Sequence, residues 1–171
     1  MYWATCGTSS TIRRRVWSLR ELLDIIQQPL LPGSVIKIAA LAAALESGAI
    51  TARTSIVCTR SVVVDGHRLT CTHPDLHRPL TPDEALALSC NVYVATVAGR
   101  MTRASLDRAL TSLGLPPSDP STSVRASALG LEGNGATPRA LVGAVARVAG
   151  VPDPPPWRAS TLDTIREGLH R

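Results

Sequence analysis

From Val35 to Leu45 the chain reads Val-Ile-Lys-Ile-Ala-Ala-Leu-Ala-Ala-Ala-Leu, apolar at every position but one. A helix that is apolar nearly all round cannot lie on a surface. It belongs in the middle of a core, with other elements packed around it. Pro29 and Pro32 separate it from what precedes, Gly33 and Ser34 open it, and Gly48 is a natural stop. The exception is Lys37, the one lysine among 18 basic residues. A chain that uses arginine for every other cation has kept an ammonium in its most apolar helix.

The remaining elements are read from spacing and punctuation. Val16, Leu19, Leu22, Leu23 and Ile26 predict a helix over 16–28, with Ser18 as its N-cap. The polar segment 1–15, which carries Cys6, reads as a frayed end, and residues 1–29 are not placed in a domain. Residues 55–72 switch to β-branched runs around Asp65-Gly66, a type I′ hairpin signal. Thr81-Pro82-Asp83-Glu84 is a capping box with proline at the first helical position. It starts a helix that carries Ala85 to Ser89, and a second helical stretch runs from Asn91 to Arg100. Further helices are expected at 103–112, 138–149 and 160–170, divided by a Pro/Ser-rich loop over 116–123, a glycine-rich turn from Gly130 to Gly135, and Pro154-Pro155-Pro156. The 171 residues make one domain, or a piece of a larger one, that is mostly helical with one hairpin.

Composition excludes several functions. The net charge of +5 invites a nucleic-acid reading, but aromatic residues are only 3% and phenylalanine is absent, so stacking platforms are missing. No run approaches the ~20 apolar residues of a membrane span. No charged-then-apolar signal segment opens the chain; Arg13, Arg14 and Arg15 precede an amphipathic stretch instead.

Chemistry concentrates at two places. Ser34 stands at the first turn of the apolar helix, where free N–H groups favour negative charge, and Lys37 follows nearly one turn later on the same face. Enclosure by alanine and leucine desolvates an amine and lowers its basicity, which makes it a general base for a serine hydroxyl. The second place is Ser89-Cys90-Asn91, where one helix gives way to another. A hydroxyl there can relay a proton and a carboxamide can hold a substrate carbonyl.

Together, Pro32-Gly33-Ser34-Val35-Ile36-Lys37 and Ser89-Cys90-Asn91, with the hairpin between them and Gly130 to Pro138 after them, resemble the transpeptidase domain of penicillin-binding proteins. The resemblance covers residues 30–171. It implies an α+β, β-lactamase-like fold, with Ser34 the acylated nucleophile and Lys37 its base. Ser89 would pass a proton to the leaving amine, and Asn91 would bind the substrate amide. The implied reaction is acyl transfer from D-Ala-D-Ala stem peptides, outside the cytoplasm, with penicillins trapping the same serine and no cofactor. The family's third motif, Lys-Thr-Gly or Lys-Ser-Gly, is absent, so the chain reads as stopping short of the strand that carries it and of most of the central sheet. A class D β-lactamase or β-lactam sensor domain is the alternative enzyme reading, although Asn91 favours the penicillin-binding side. A degenerate scaffold in a cell-wall assembly is the alternative of another class.

Other candidates carry less. Gly130, Gly133 and Gly135 lack the Gly-Lys-Ser/Thr of a phosphate loop. His67, His73 and His77 with Cys71 show no paired metal-ligand spacing, so no metal site is expected. A Cys58–Cys71 disulfide stays open, because a two-residue turn puts Arg60 opposite Cys71 and a bulge would be needed to bring Cys58 there. Cys90 reads as a small buried filler.

Overall fold

The computed structural model describes residues 18–171. A first helix, α1 (Leu19–Gln27), starts at Ser18, whose hydroxyl accepts from the Glu21 N–H while the Glu21 carboxylate accepts from the Ser18 N–H. This is a reciprocal cap that satisfies two orphan donors. The whole of the segment 1–15 expected to be frayed, and Val16, lie outside the described residues. Pro29 ends α1, and Leu30 then forms a single bridge with Ala136.

The apolar helix is central, as its composition requires. A 3-10 turn over Gly33–Ile36 runs straight into α2 (Lys37–Glu46), and every residue from Lys37 to Leu45 is buried. Ala39, Ala40, Ala42, Ala43 and Ala44 keep its surface smooth, which lets neighbouring helices approach closely. These neighbours are α3 (Pro82–Ala87), α4 (Asn91–Ala98), α5 (Arg103–Ser112), α6 (Val124–Leu129) and α8 (Ala159–His170). A further helix, α7 (Pro138–Ala149), opens at the Thr137 cap and packs against α1 and α8. The six-residue α6 falls where the sequence predicted no element; its cue is the Ser123 hydroxyl accepting from the Ala126 N–H.

The hairpin is shorter than the β-patterned run. Strands β1 (Ser61–Val64) and β2 (His67–Thr70) pair antiparallel in the register Val64↔His67, with Asp65 and Gly66 both at positive φ, as a type I′ turn demands. Upstream of β1 the chain leaves the ladder because Arg60 is left-handed at φ 68°, and Ile56 bridges Leu80 instead. This two-strand sheet rests its Val64 side on the core beside α4. Apolar side chains remain exposed on α1 (Leu19, Leu22, Leu23) and on α7, where Val142 is 71% exposed.

Candidate active site

The site forms where the start of α2 meets the turn between α3 and α4. After α3 the chain reverses at Ser89, which is left-handed at φ 51°. That conformation costs an L-residue about 1–2 kcal/mol. The reversal brings the Cys90 N–H onto the Ala85 carbonyl and aims the Ser89 and Asn91 side chains at α2. Strain of this kind persists only where the surroundings over-determine it, and it concentrates at functional turns.

Lys37 is 1% exposed and carries three hydrogen bonds, the full complement of an ammonium. Its Nζ donates to Asn91 Oδ1 at 2.6 Å, to the Ser89 carbonyl at 2.8 Å and to Ser89 Oγ at 2.9 Å. Ser89 Oγ in turn donates to Ser34 Oγ at 2.9 Å. The four residues singled out in the sequence therefore meet. The link from Lys37 to Ser34 runs through Ser89 rather than directly, because the turn at 89–91 occupies all three amine donors. Burial lowers the Lys37 pKa to about 8, with the neighbouring Cys71 and Cys90 thiols pulling upward. Asn91 is oriented from the far side, its Nδ2 donating to the Thr70 carbonyl at the end of β2 at 2.9 Å. One amide N–H and one carbonyl lone pair are then left for another molecule.

Ser34 itself is exposed, on the 3-10 turn. Behind it stands Gly130, the left-handed C-cap of α6, whose Cα faces the Gly33 backbone. An apolar groove of about 460 Å³, lined by Val35, Leu141, Val142, Val145 and Ala146, opens beside the serine. A larger cavity of about 830 Å³, lined by residues including Ala43, Glu46, Arg108 and Trp157, lies at the other end of α2 and shares no residue with the site.

A family model, the penicillin binding protein transpeptidase domain, matches residues 12–150 and so includes part of the N-terminal segment that the sequence left unplaced. The chain belongs to the penicillin-binding protein transpeptidase domain family. Solved penicillin-binding proteins share the fold. A penicillin-binding protein 2 of Pseudomonas aeruginosa, in complex with WCK 5153, superposes with a TM-score of 0.66 at 15% identity, covering 82% of this chain and 44% of that one. A chain from a peptidoglycan synthase complex, solved for the structural coordination of polymerization and crosslinking, gives 0.70 at 25% identity over 86% of this chain and 33% of its own. Penicillin-binding protein A of M. tuberculosis, as a ceftriaxone acyl-enzyme complex, gives 0.57 at 20% identity over 71% and 32%. The chain thus spans less than half the length of these relatives. No curated protein matches the sequence.

Two features of this domain were not legible in its sequence. One is the order of the relay: the sequence made Lys37 the base for Ser34 and Ser89 a proton donor to the leaving amine, and the structure puts Ser89 between Lys37 and Ser34. The other is a cluster of Cys58, Cys71, His73 and Cys90 directly behind the Ser89–Asn91 turn, where the sequence predicted no metal site. The His residues weighed beside Cys71 part company: His67 lies near Glu132 and His77 near Asp75, and only His73 joins the cysteines. The three cysteines are free thiols, and the left-handed Arg60 supplies the bend that carries Cys58 toward Cys71.

Proposed function

We propose that this chain carries the nucleophile, base and proton relay of a D,D-transpeptidase that acts on D-Ala-D-Ala stem peptides outside the cytoplasm. The observation that supports the reading best is the unbroken chain Lys37 Nζ–Ser89 Oγ–Ser34 Oγ, ending on an exposed hydroxyl. With its pKa near 8, Lys37 is neutral in an appreciable fraction of molecules at neutral pH, and its lone pair then takes a proton from Ser89 Oγ. Ser89 takes its own replacement from Ser34, whose oxygen attacks the penultimate carbonyl of the stem peptide. As the C–N bond breaks, the proton returns through Ser89 to the departing D-Ala amine, leaving an ester on Ser34. An acceptor amine or water reverses the sequence and frees the serine. A penicillin enters the same way, but its ring nitrogen stays tethered to the acyl group.

Asn91 holds the substrate amide with its remaining N–H and lone pair, while Lys37 and Thr70 fix its plane. Neither Lys-Thr-Gly nor Lys-Ser-Gly occurs among the 171 residues, so the strand that completes the cleft in the family is not one of the elements described here. The test is a fluorescent penicillin added to the protein at its full native length. The expected result is a single adduct on the tryptic peptide Glu21–Lys37, abolished by Ser34→Ala. A slow loss of the adduct fits a transpeptidase and a fast one a β-lactamase. No adduct would overturn the acyl-transfer reading in favour of a scaffold.

A further inference from the structure

The cluster behind the active-site turn has the dimensions of a metal site. Four tetrahedral ligands at ~2.3 Å (Zn–S) and ~2.0–2.1 Å (Zn–N) sit about 3.8 Å apart from sulfur to sulfur and about 3.6 Å from sulfur to nitrogen. Cys71 Sγ and Cys90 Sγ are 3.8 Å apart, and Cys58 Sγ and His73 Nε2 are 3.6 Å apart. All four ligand atoms lie within 4.8 Å of one another. A separation of 3.8 Å is far beyond a sulfur–sulfur bond.

A second observation is independent of those distances. His73 Nδ1 lies 2.8 Å from the Pro74 carbonyl. A proton on Nδ1 makes that contact a hydrogen bond and leaves the Nε2 lone pair facing Cys58, the arrangement that orients metal-bound histidines; Arg60 Nη1 lies farther from the same Nδ1, at 3.4 Å. The backbone is held as firmly. Arg60 donates to the carbonyls of Cys71 and His73, so the residue whose bend delivers Cys58 also fixes the Cys-x-His segment. Cys71, His73 and Cys90 are all buried, and a buried histidine among three free thiols needs a reason that packing does not supply.

We propose that Cys58, Cys71, His73 and Cys90 form a closed tetrahedral site for a thiolate-preferring divalent metal, with zinc as the expected occupant. Three sulfurs and one imidazole select zinc over magnesium or calcium, and four protein ligands leave no open position, so the site is structural. It joins both flanks of the hairpin to the residue between Ser89 and Asn91. Any effect of the metal on acylation rests on the function proposed above; metal binding itself does not.

The experiment measures metal content and spectra of the native-length protein purified under reducing conditions. We expect one zinc per chain by mass spectrometry of the metal. On replacement by cobalt, thiolate charge-transfer absorption should appear together with the intense bands of a tetrahedral ion. Cys58 is only half-buried, so Cys58→Ser keeps the fold; it should weaken zinc binding at least 10-fold against a chromogenic chelator and reduce the charge-transfer intensity. His73→Asn should weaken binding while keeping the thiolate absorption, and Cys6→Ser should change nothing. A protein without stoichiometric zinc that also takes up no cobalt would overturn the proposal. So would zinc held equally well by Cys58→Ser, or a disulfide among Cys58, Cys71 and Cys90 in protein isolated without reductant. These outcomes stand apart from penicillin labelling, so the two readings fail separately.

Discussion

Gly130 approaches Gly33 so closely that a Cβ on Gly130 would lie 2.2 Å from the Gly33 carbonyl oxygen. The glycine-rich turn after α6 is thereby wedged under the turn that presents Ser34. Backbone cannot yield as a flexible side chain does, and Gly130 also sits at φ 67°. Gly130→Ala should push the Gly33–Ile36 turn outward. Because a displacement of about 1 Å can cost 10²-fold in rate, penicillin acylation should fall by about that factor. Intact-mass kinetics measure it, and circular dichroism should show the helices retained.

Lys37→Arg separates charge from basicity. Arginine keeps the cation but does not deprotonate near neutral pH. A positioned general base contributes roughly 10²–10⁴ in rate, so acylation should drop at least about 100-fold. Since Lys37 is fully buried, a thermal melt must accompany the measurement to show that the variant is folded. Acylation within a few-fold of the parent would remove Lys37 from the base role.

Ser89 allows stability and reactivity to be moved in opposite directions. Its left-handed backbone suits glycine, whereas alanine keeps the Cβ penalty of about 1–2 kcal/mol. Ser89→Gly should therefore melt above Ser89→Ala. Both variants lose the hydroxyl between Lys37 and Ser34, and both should acylate at least about 100-fold more slowly. Equal reactivity with the parent would show that the relay is dispensable.

The α3 cap gives an acid-dependent signal. Hydrogen bonds from Arg78 and the Thr81 backbone N–H hold the Glu84 carboxyl at about 2, against its ordinary 4.5. A depressed carboxyl contributes stability above the unfolded pKa and loses it as pH falls through the folded one. The Tm difference between the parent and Glu84→Gln should be full above about pH 5 and fade toward pH 2. Loss of a cap is worth about 1 kcal/mol, and thus roughly 2–4 °C, in a domain of this size.

Most of the helices were legible because their ends are chemically marked. Ser18, Thr81 with Pro82 and Glu84, and Thr137 with Pro138 all act as caps where the sequence put them. Asp65-Gly66 likewise fixed the hairpin register. The helix α6 escaped because six residues carry too little periodicity to read. The place of Ser89 between Lys37 and Ser34 and the cysteine cluster escaped for a different reason. Both depend on left-handed turns at Arg60 and Ser89, residue types that do not advertise that conformation. Ligand spacing rules look for cysteines paired along the chain, and here the pairing is made across it, between the two flanks of a hairpin and the start of α4.

The two ends of the proton relay differ in their access to solvent. The α2 helix is enclosed from Lys37 to Leu45, so its amides can meet solvent only when the whole domain opens, and their hydrogen exchange should report the global free energy. Ser34 sits one turn earlier and is itself exposed, on a 3-10 turn whose Ile36 is buried and whose Gly33 rests against Gly130. The base is thus anchored in the slowest-exchanging part of the molecule, while the nucleophile stands at its edge, open to an arriving substrate.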